Sequence, residues 1–174
     1  KVSKEYGTTN VITAPEIAGY ETPASQTIAW DSVTAKTITF TYKPISYSVT
    51  IVCNGGSGVA STSYTIETET FTLGTPVREG YTFTGWTGDN GSVPQTTVTI
   101  EKGSTGARNY FANWETNNVT YNIEYKSTSG VELGTETVEK EFGTTNTIVA
   151  PEKAGYETPA SQTIAWDSVT AKTI

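Results

Sequence analysis

A stretch of twenty residues occurs twice in this chain, and this repetition constrains the fold more than any other feature. GYETPASQTIAWDSVTAKTI runs from Gly19 to Ile38 and again from Gly155 to Ile174. Extended outward, residues 2–38 align with residues 138–174 at an offset of 136, and only five pairs differ. A fixed period is typical of a tandem repeat. We therefore expect these 174 residues to be a window, a little over one period long, on a longer array.

The composition and the alternation of apolar residues favour short strands. Thr, Ser, Gly, Tyr and Trp are plentiful, and β-branched and aromatic residues suit strands better than helices. Strict alternation over 119–125 and 47–53 predicts two half-buried strands, and Asn54-Gly55-Gly56 predicts a turn after the second. Return strands over 135–141 and 62–70 complete two hairpins. Shorter strands are predicted over the ranges 36–42, 82–86, 96–100, 109–114, 163–166 and 172–174.

These elements predict a mainly β fold of tandem small modules, each with an antiparallel or mixed sheet and at most one short helix. The connection over 143–156, where Pro and Gly interrupt the pattern, has room for one helical turn. By the repeat offset, residues 1–45 form a partial module that lacks its first strand. Residues 46–117 form a different module, and 118–174 form a second copy whose last strand is truncated.

Links of three or four residues, near 44–46 and 115–118, predict an elongated array. The two incomplete copies should each expose an unpaired edge, which small sheets tolerate poorly. Because both come from the same repeat, their missing parts are complementary. We therefore expect head-to-tail contacts with neighbouring repeats of the same protein.

The residues that are absent restrict the chemistry. The net charge is −7 without a basic run, which argues against nucleic acid and anionic membrane surfaces as partners. No apolar run is long enough for membrane insertion. With no histidine and one cysteine, a zinc site and a catalytic triad lack their usual ligands and base. We expect no cofactor and no enzymatic activity.

The repeated module resembles the MucBP (mucin-binding protein) repeat. The resemblance is carried by Tyr125-Lys-Ser-Thr-Ser-Gly-Val-Glu-Leu133, by Gly155-Tyr156, and by a final strand like that at 37–43. The family often has acidic residues where Lys126–Ser129 stand here.

The middle module resembles the Listeria–Bacteroides repeat, also known from the internalin B-repeat. The matching residues are Asn54-Gly-Gly56, Pro76-Val-Arg-Glu-Gly-Tyr-Thr-Phe-Thr-Gly-Trp86 and the closing Phe-Ala-Asn-Trp114, although Cys53 stands where the family usually has an acidic or polar residue. Together the two resemblances imply β-grasp (ubiquitin-like) modules from cell-wall-anchored, extracellular proteins of Gram-positive bacteria. Neither family is known for catalysis.

Two functions are consistent with these features. The first is a repeat segment of an exported cell-surface protein, an adhesin stalk or spacer that projects a distal binding region. The alternative is direct, weak, multivalent binding of host mucin glycans or other glycoproteins by the repeats. Near-identical repetition and the acidic surface favour the spacer, whereas the MucBP resemblance suggests the alternative.

Four tryptophans are candidate sugar platforms, and the competing interpretation is that they fill small cores. Trp86 and Trp114 lie in predicted strands, where a core role is favoured. Trp30 and Trp166 follow Thr-Ile-Ala beside a loop, so both interpretations stay open and they are the possible ligand-contact aromatics.

Other reactive side chains have simpler explanations. Cys53 continues an inward-facing strand pattern, which predicts an inert thiol. Glu21 with Asp31 and Glu157 with Asp167 are interpreted as turn residues, not as catalytic carboxylates. Asp89-Asn-Gly-Ser lacks the further ligands of a calcium loop. Lysine–asparagine isopeptide bonds are an open alternative at Lys36, Lys43 and Lys126.

Overall fold

The computed structural model describes residues 2–170 and shows a mainly β protein, with no helix among them. This confirms the predicted fold class at that level. The strands are β1 (Thr9–Ile12), β2 (Tyr20–Glu21), β3 (Gln26–Ala29), β4 (Lys43–Pro44), β5 (Tyr47–Val52), β6 (Thr62–Tyr64), β7 (Phe71–Thr72), β8 (Tyr81–Gly88), β9 (Gly91–Gln95), β10 (Thr99–Ile100), β11 (Arg108–Thr116), β12 (Asn118–Lys126), β13 (Glu132–Glu141), β14 (Thr145–Ile148) and β15 (Gln162–Ala165).

The strands form several small sheets. One five-stranded sheet has the order β6-β5-β11-β8-β9, and the other sheets are the antiparallel pairs β1-β3, β2-β4, β7-β10, β12-β13 and β14-β15. β8 and β11 pair antiparallel from Tyr81↔Thr116 to Gly88↔Tyr110, with a register shift between Asn113 and Trp114. A bulge of this kind bends the strand and increases its twist.

The contacts divide the chain into two compact units. The first comprises the N-terminal segment through Thr50 together with Ser61–Leu73 and Thr99–Asn109. The second comprises Ile51–Ala60, Gly74–Val98 and the C-terminal segment from Tyr110. The module boundaries predicted from the repeat offset, 1–45, 46–117 and 118–174, remain a prediction.

The second unit contains an apolar core. Alternation along β12 turns Val119, Tyr121 and Ile123 inward, where they meet two side chains from the end of the second repeat copy, Ile164 and Trp166. Tyr125, Val138, Phe142 and Ile148 pack around this cluster. The predicted hairpin over 119–125 and 135–141 is confirmed, with Tyr121 opposite Val138.

The two copies of the repeat share one antiparallel strand pair. β1 pairs with β3 from Thr9↔Ala29 to Ile12↔Gln26, and β14 pairs with β15 from Thr145↔Ala165 to Ile148↔Gln162. Each of these registers is the other shifted by the repeat offset. Nearly identical local sequence, with Val11 replaced by Thr147, therefore gives the same pairing in two different surroundings.

Several predicted strands are shorter than expected. The strand predicted over 36–42 is wrong, because no strand forms over those residues and β4 begins only at Lys43. The segment is held instead by side chain–backbone bonds: the Tyr42 hydroxyl donates to the Pro15 carbonyl at 2.6 Å, and Gln26 Nε2 donates to the Thr39 carbonyl at 2.7 Å. A strand is stable only with a ladder partner, which this segment does not have.

Local hydrogen bonds end two other predicted elements. The strand predicted over 62–70 stops at Tyr64, because Thr65 N donates to Thr68 Oγ1 at 2.9 Å and Thr68 N donates to the Thr65 carbonyl at 3.0 Å, which closes a turn. The strand predicted over 96–100 is reduced to β10. The optional helical turn over 143–156 is also absent. Thr145–Ile148 form β14, and the connection ends in a turn in which Tyr156 N donates to the Lys153 carbonyl at 3.1 Å and Gly155 has a φ of +84°. The strand predicted at 172–174 lies outside the described residues.

Candidate functional site

Three features of the molecule are candidates for function: the joints between successive modules, the repeated tryptophans, and a cleft in the second repeat copy. The joint within the second unit is a single residue, Asn117, between β11 and β12. Its N–H donates to the Gly80 carbonyl at 2.9 Å, and its carbonyl accepts from Phe142 N at 2.9 Å. Its side-chain Oδ1 accepts from the Thr82 hydroxyl at 2.6 Å.

Aromatic packing reinforces this joint. The rings of Tyr81 and Phe142 meet edge to face at a centroid distance of 5.9 Å. Gly80 has a φ of +75°, and a Cβ at that position would clash with the Phe142 ring. The guanidinium group of Arg78 also lies over the Tyr81 ring, with its carbon 3.7 Å from the ring centroid. The middle module and the second repeat copy are therefore packed against each other and do not merely share a tether.

A second joint lies within the first unit and involves the first repeat copy. The Tyr20 hydroxyl donates to the Glu67 carboxylate at 2.9 Å. This hydrogen bond, together with the Glu67 charge, raises the pKa of Tyr20. Gly19 has a φ of +82°, and a Cβ there would lie 2.6 Å from Ile66 Cδ1. Ile45 N donates to the Gly19 carbonyl at 2.9 Å. Contacts from two parts of the chain therefore hold the Gly19-Tyr20 turn.

Each repeat copy places its tryptophan directly after the second strand of the same short antiparallel pair. Trp30 N donates to the Thr8 carbonyl and Gly7 N donates to the Trp30 carbonyl, both at 2.8 Å. Trp166 repeats these bonds with Thr144 and Gly143 at 2.8 and 2.7 Å. Backbone position is thus the same, so differences between the two indoles come from their neighbours.

The neighbours of the two indoles differ. Trp166 is fully buried and stacks on Tyr121, with ring centroids 4.9 Å apart and an interplanar angle of 12°. Trp30 is only half-buried. Both indole N–H groups are buried without a hydrogen-bond partner among residues 2–170. A ligand can reach the Trp30 ring without unfolding, whereas contact with Trp166 requires its core to open. The ligand-contact role of both stays a prediction.

Trp86 and Trp114 belong to the interior of the middle module. Trp86 is fully buried, and its Nε1 donates to the Gly74 carbonyl at 3.2 Å. Trp114 is half-buried and donates to the Cys53 carbonyl at 2.9 Å. The Phe83 ring contacts both indoles edge to face, at centroid distances of 5.3 and 5.5 Å. These contacts agree with the core interpretation.

The single cysteine and the paired carboxylates are also accounted for by local contacts. Cys53 is half-buried, and its thiol lies 3.4 Å from the Val59 carbonyl. Glu21 pairs with Lys43 at 3.0 Å. Asp31 pairs with Lys36, whose hydrogen bond lowers the pKa of the Asp31 carboxyl. The third lysine considered for isopeptide bonds, Lys126, pairs with Glu124, so all three ammonium groups contact exposed or half-exposed carboxylates.

A cleft of about 730 Å³ opens in the second repeat copy, between the β12-β13 hairpin and the connection that follows β14. Apolar and polar side chains line it in similar measure. The hairpin contributes Tyr125, whose hydroxyl is buried, and its pKa is raised by that burial and by the Glu136 carboxylate beside it. The connection contributes Tyr156, whose side chain is 49% exposed. Sequence alone does not predict this cleft, because it depends on how a hairpin and a distant connection face each other.

The middle module matches a known protein family. Residues 47–113 match the family model of the Listeria-Bacteroides repeat domain. The match runs from the start of β5 into β11 and contains the Asn54–Gly56 turn and the buried Trp86. The predicted resemblance of this module is thereby confirmed. The MucBP resemblance of the flanking copies stays a prediction.

No curated protein matches the chain. Within residues 2–170, no helix is long and apolar enough to cross a bilayer. The same residues contain no group of three or more His, Cys, Asp or Glu side chains arranged for a metal ion.

Proposed function

We propose that this chain is a repeat segment of an exported bacterial cell-surface protein and serves as an adhesin stalk or spacer. In this proposal the modules are β-grasp-like, the parent protein is extracellular and attached to the cell wall of a Gram-positive bacterium, and successive repeats contact each other head to tail. The segment has no catalytic role. Its task is to hold a distal binding region away from the surface.

The observation that carries the proposal is the faithful repetition of one structural element at the repeat offset. β1 and β3 on one side, and β14 and β15 on the other, have the same register and the same flanking hydrogen bonds. A spacer gains length by adding identical units, so selection acts on the unit and not on a unique site. The matched repeat domain between the two copies supports the same interpretation.

The joints supply what a spacer needs beyond repetition. A flexible tether would let modules fold back on one another, whereas Asn117 uses its N–H, its carbonyl and its side chain to bond residues on both sides. Packing of Phe142 against Tyr81 and Gly80 adds a steric restriction. Such a joint resists bending and carries load along the chain.

The proposal can be tested by single-molecule force measurements on tandem copies of the 136-residue period. A spacer should give a regular series of unfolding events whose number grows in step with the number of 136-residue periods. An Asn117→Gly variant should lower the unfolding force of the adjoining module, and Asn122→Gly, in the middle of β12, provides a glycine control away from the joint. Irregular unfolding with no dependence on the number of units would contradict a spacer built from repeated modules.

The alternative function is direct weak binding of mucin glycans or other host glycoproteins. The half-buried Trp30 and the exposed Tyr156 favour it, because aromatic faces stack on sugar rings. Multivalency would let weak contacts add along an array. Mucin binding that grows with the number of units and is lost in Trp30→Ala or Tyr156→Ala would support this alternative, whereas no binding at any valency favours the spacer.

A further inference from the structure

The β12-β13 hairpin of the second unit has one long strand edge that no other described strand covers. β13 runs for ten residues and, among residues 2–170, pairs with β12 alone. In an antiparallel pair every second residue of a strand directs its N–H and C=O away from the partner. β13 therefore presents a row of unused backbone donors and acceptors, which is a template for another strand.

The two edges of the five-stranded sheet are poorer templates. β6, at one edge, is only three residues long. β9, at the other edge, contains Pro94, which has no N–H to donate, and its register with β8 shifts between Trp86 and Gly88. Short strands, prolines and bulges all discourage pairing with a further strand. β13 contains no proline and keeps one register with β12 from Glu141 to Gly134.

The face of β13 that lies on the core side of the hairpin carries the pattern Glu136-Val138-Lys140. These three residues lie opposite three buried residues of β12, namely Ile123, Tyr121 and Val119. Val138 packs against the core, whereas Glu136 and Lys140 are exposed. Charged residues in such positions usually discourage a further strand. Here the effect depends on which charges the new strand places opposite them.

The pattern is complementary to itself. If β13 of a second copy pairs antiparallel with Val138 opposite Val138, each Glu136 faces a Lys140 of the other copy, and the core sides of both hairpins lie on the same side of the joined sheet. A shift by one residue in either direction brings Glu136 opposite Glu139 or Glu141. Opposite charges stabilise a cross-strand pair and like charges destabilise it. The charges therefore select one register.

Neither of the two charges is already used in an ion pair among the described residues. The lysines that form ion pairs there are Lys36, Lys43, Lys102 and Lys126, and their partners are Asp31, Glu21, Glu69 and Glu124. Lys140 and Glu136 are therefore available to groups of opposite charge on a second strand.

We propose that the free edge of β13 is a lateral interaction surface that pairs with β13 of a second copy of this chain, antiparallel and centred on Val138. The joined sheet has the order β12-β13-β13-β12 and contains two Glu136–Lys140 pairs related by a two-fold axis. This contact joins modules side by side, unlike the head-to-tail contact between successive repeats. Along an array, many such weak contacts act together. The inference does not depend on the spacer role.

The test is sedimentation velocity of the full chain at concentrations up to about 1 mM, where contacts with a Kd in the millimolar range become populated. A reversible change from monomer to dimer is expected. Amide hydrogen exchange over the same concentrations should slow at alternate residues of β13, because their outward N–H groups become hydrogen-bonded in the dimer. Exchange along β9 should not change.

Two charge reversals identify the contact. Glu136→Lys should weaken dimerisation about tenfold, because it replaces two attractive pairs by two repulsive ones, and Lys140→Glu should do the same. Mixed in equal amounts, the two variants should form a heterodimer, since each supplies the charge that the other lacks. Glu139→Lys is the matched control: it makes the same charge change on the opposite face of β13, where it faces Thr137 in this register, and should have little effect.

Three results would overturn the proposal. A monomer at every concentration would show that the edge is not used. A dimer that neither reversal weakens, or in which exchange along β13 is unchanged, would place the contact elsewhere. Weakening by each reversal without recovery in the mixture would exclude charge pairing in this register. None of these results bears on the unfolding of tandem periods under force, so the spacer proposal is tested separately.

Discussion

The phenol ring of Tyr121 stacks almost parallel on the indole of Trp166, with the ring centroids 4.9 Å apart. Both residues are fully buried. The Tyr121 hydroxyl also accepts from the backbone N–H groups of Asp167 and Ser168, at 3.0 and 3.1 Å. One side chain on β12 therefore fixes both the indole and the loop that follows it, which links the hairpin to the end of the second repeat copy.

We expect the equivalent substitutions Trp166→Ala and Trp30→Ala to differ in their effect on stability. Removing a fully buried indole should lower the free energy of unfolding of the second unit by about 3–5 kcal/mol. Removing the half-buried Trp30 indole should lower the free energy of unfolding of the first unit by clearly less. Amide exchange of β14 and of β1, measured for each variant, reports the two effects separately. Equal losses would show that the two indoles have equivalent surroundings in solution.

Two tyrosine hydroxyls provide a second comparison. Tyr121→Phe leaves two loop N–H groups without their acceptor and should cost about 1–3 kcal/mol. Tyr125→Phe removes a buried hydroxyl that holds no backbone N–H and has only the Glu136 carboxylate beside it, so it should cost less than Tyr121→Phe. Denaturant unfolding monitored by tryptophan fluorescence measures both. A larger loss for Tyr125→Phe than for Tyr121→Phe would contradict this ranking.

The repeat also offers two glycines with the same local sequence and nearly the same φ. Alanine is strained at both Gly19 and Gly155, by about 1–2 kcal/mol, because their φ values are +82° and +84°. At Gly19 the added methyl group also meets Ile66, whereas at Gly155 it meets nothing within 4 Å. Gly19→Ala should therefore cost about 1–3 kcal/mol more than Gly155→Ala. Thermal unfolding of the two variants isolates the joint contact from backbone strain.

The Tyr20–Glu67 contact has a pH signature. Its hydrogen bond to Glu67 raises the pKa of Tyr20 above the ordinary value of 10.0. The contact should therefore be fully present below pH 10 and be lost as the pH rises through the raised pKa. In Glu67→Gln, absorbance titration of tyrosinate should show one tyrosine ionising at a lower pH than it does in the unchanged chain. An unchanged titration curve would place this contact outside the solution structure.

The sequence predicts strands best where the apolar alternation is long and the two paired strands are adjacent along the chain. The alternation of 119–125 predicts β12 and its inward face correctly, because a hairpin brings its own ladder partner. The equally regular 36–42 does not form a strand, because periodicity shows which face would be buried but not which strand is there to pair. β9 and β14 were not predicted, since Gly, Pro, Thr and Asn give them no apolar alternation.

The candidate site was less accessible to sequence reasoning for a related reason. Local sequence is the same around Trp30 and Trp166, so nothing local can predict that one is half-buried and the other stacked on Tyr121. The role of Asn117 depends on Gly80 and Phe142, which lie in two different modules. By contrast, the Asn54-Gly55-Gly56 turn was predictable, because its residue types determine its geometry: Gly56 N donates to the Cys53 carbonyl, and Asn54 and Gly55 have φ of +48° and +87°.

Small-angle X-ray scattering of the chain distinguishes a spacer of modules in line from a compact cluster. A single compact globule of this length would have a radius of gyration of about 16 Å. Modules in line should give a clearly larger value, a distance distribution skewed toward long distances, and a linear increase of maximum dimension when further 136-residue periods are added. A radius near 16 Å, or a maximum dimension that does not grow with added periods, would contradict this arrangement.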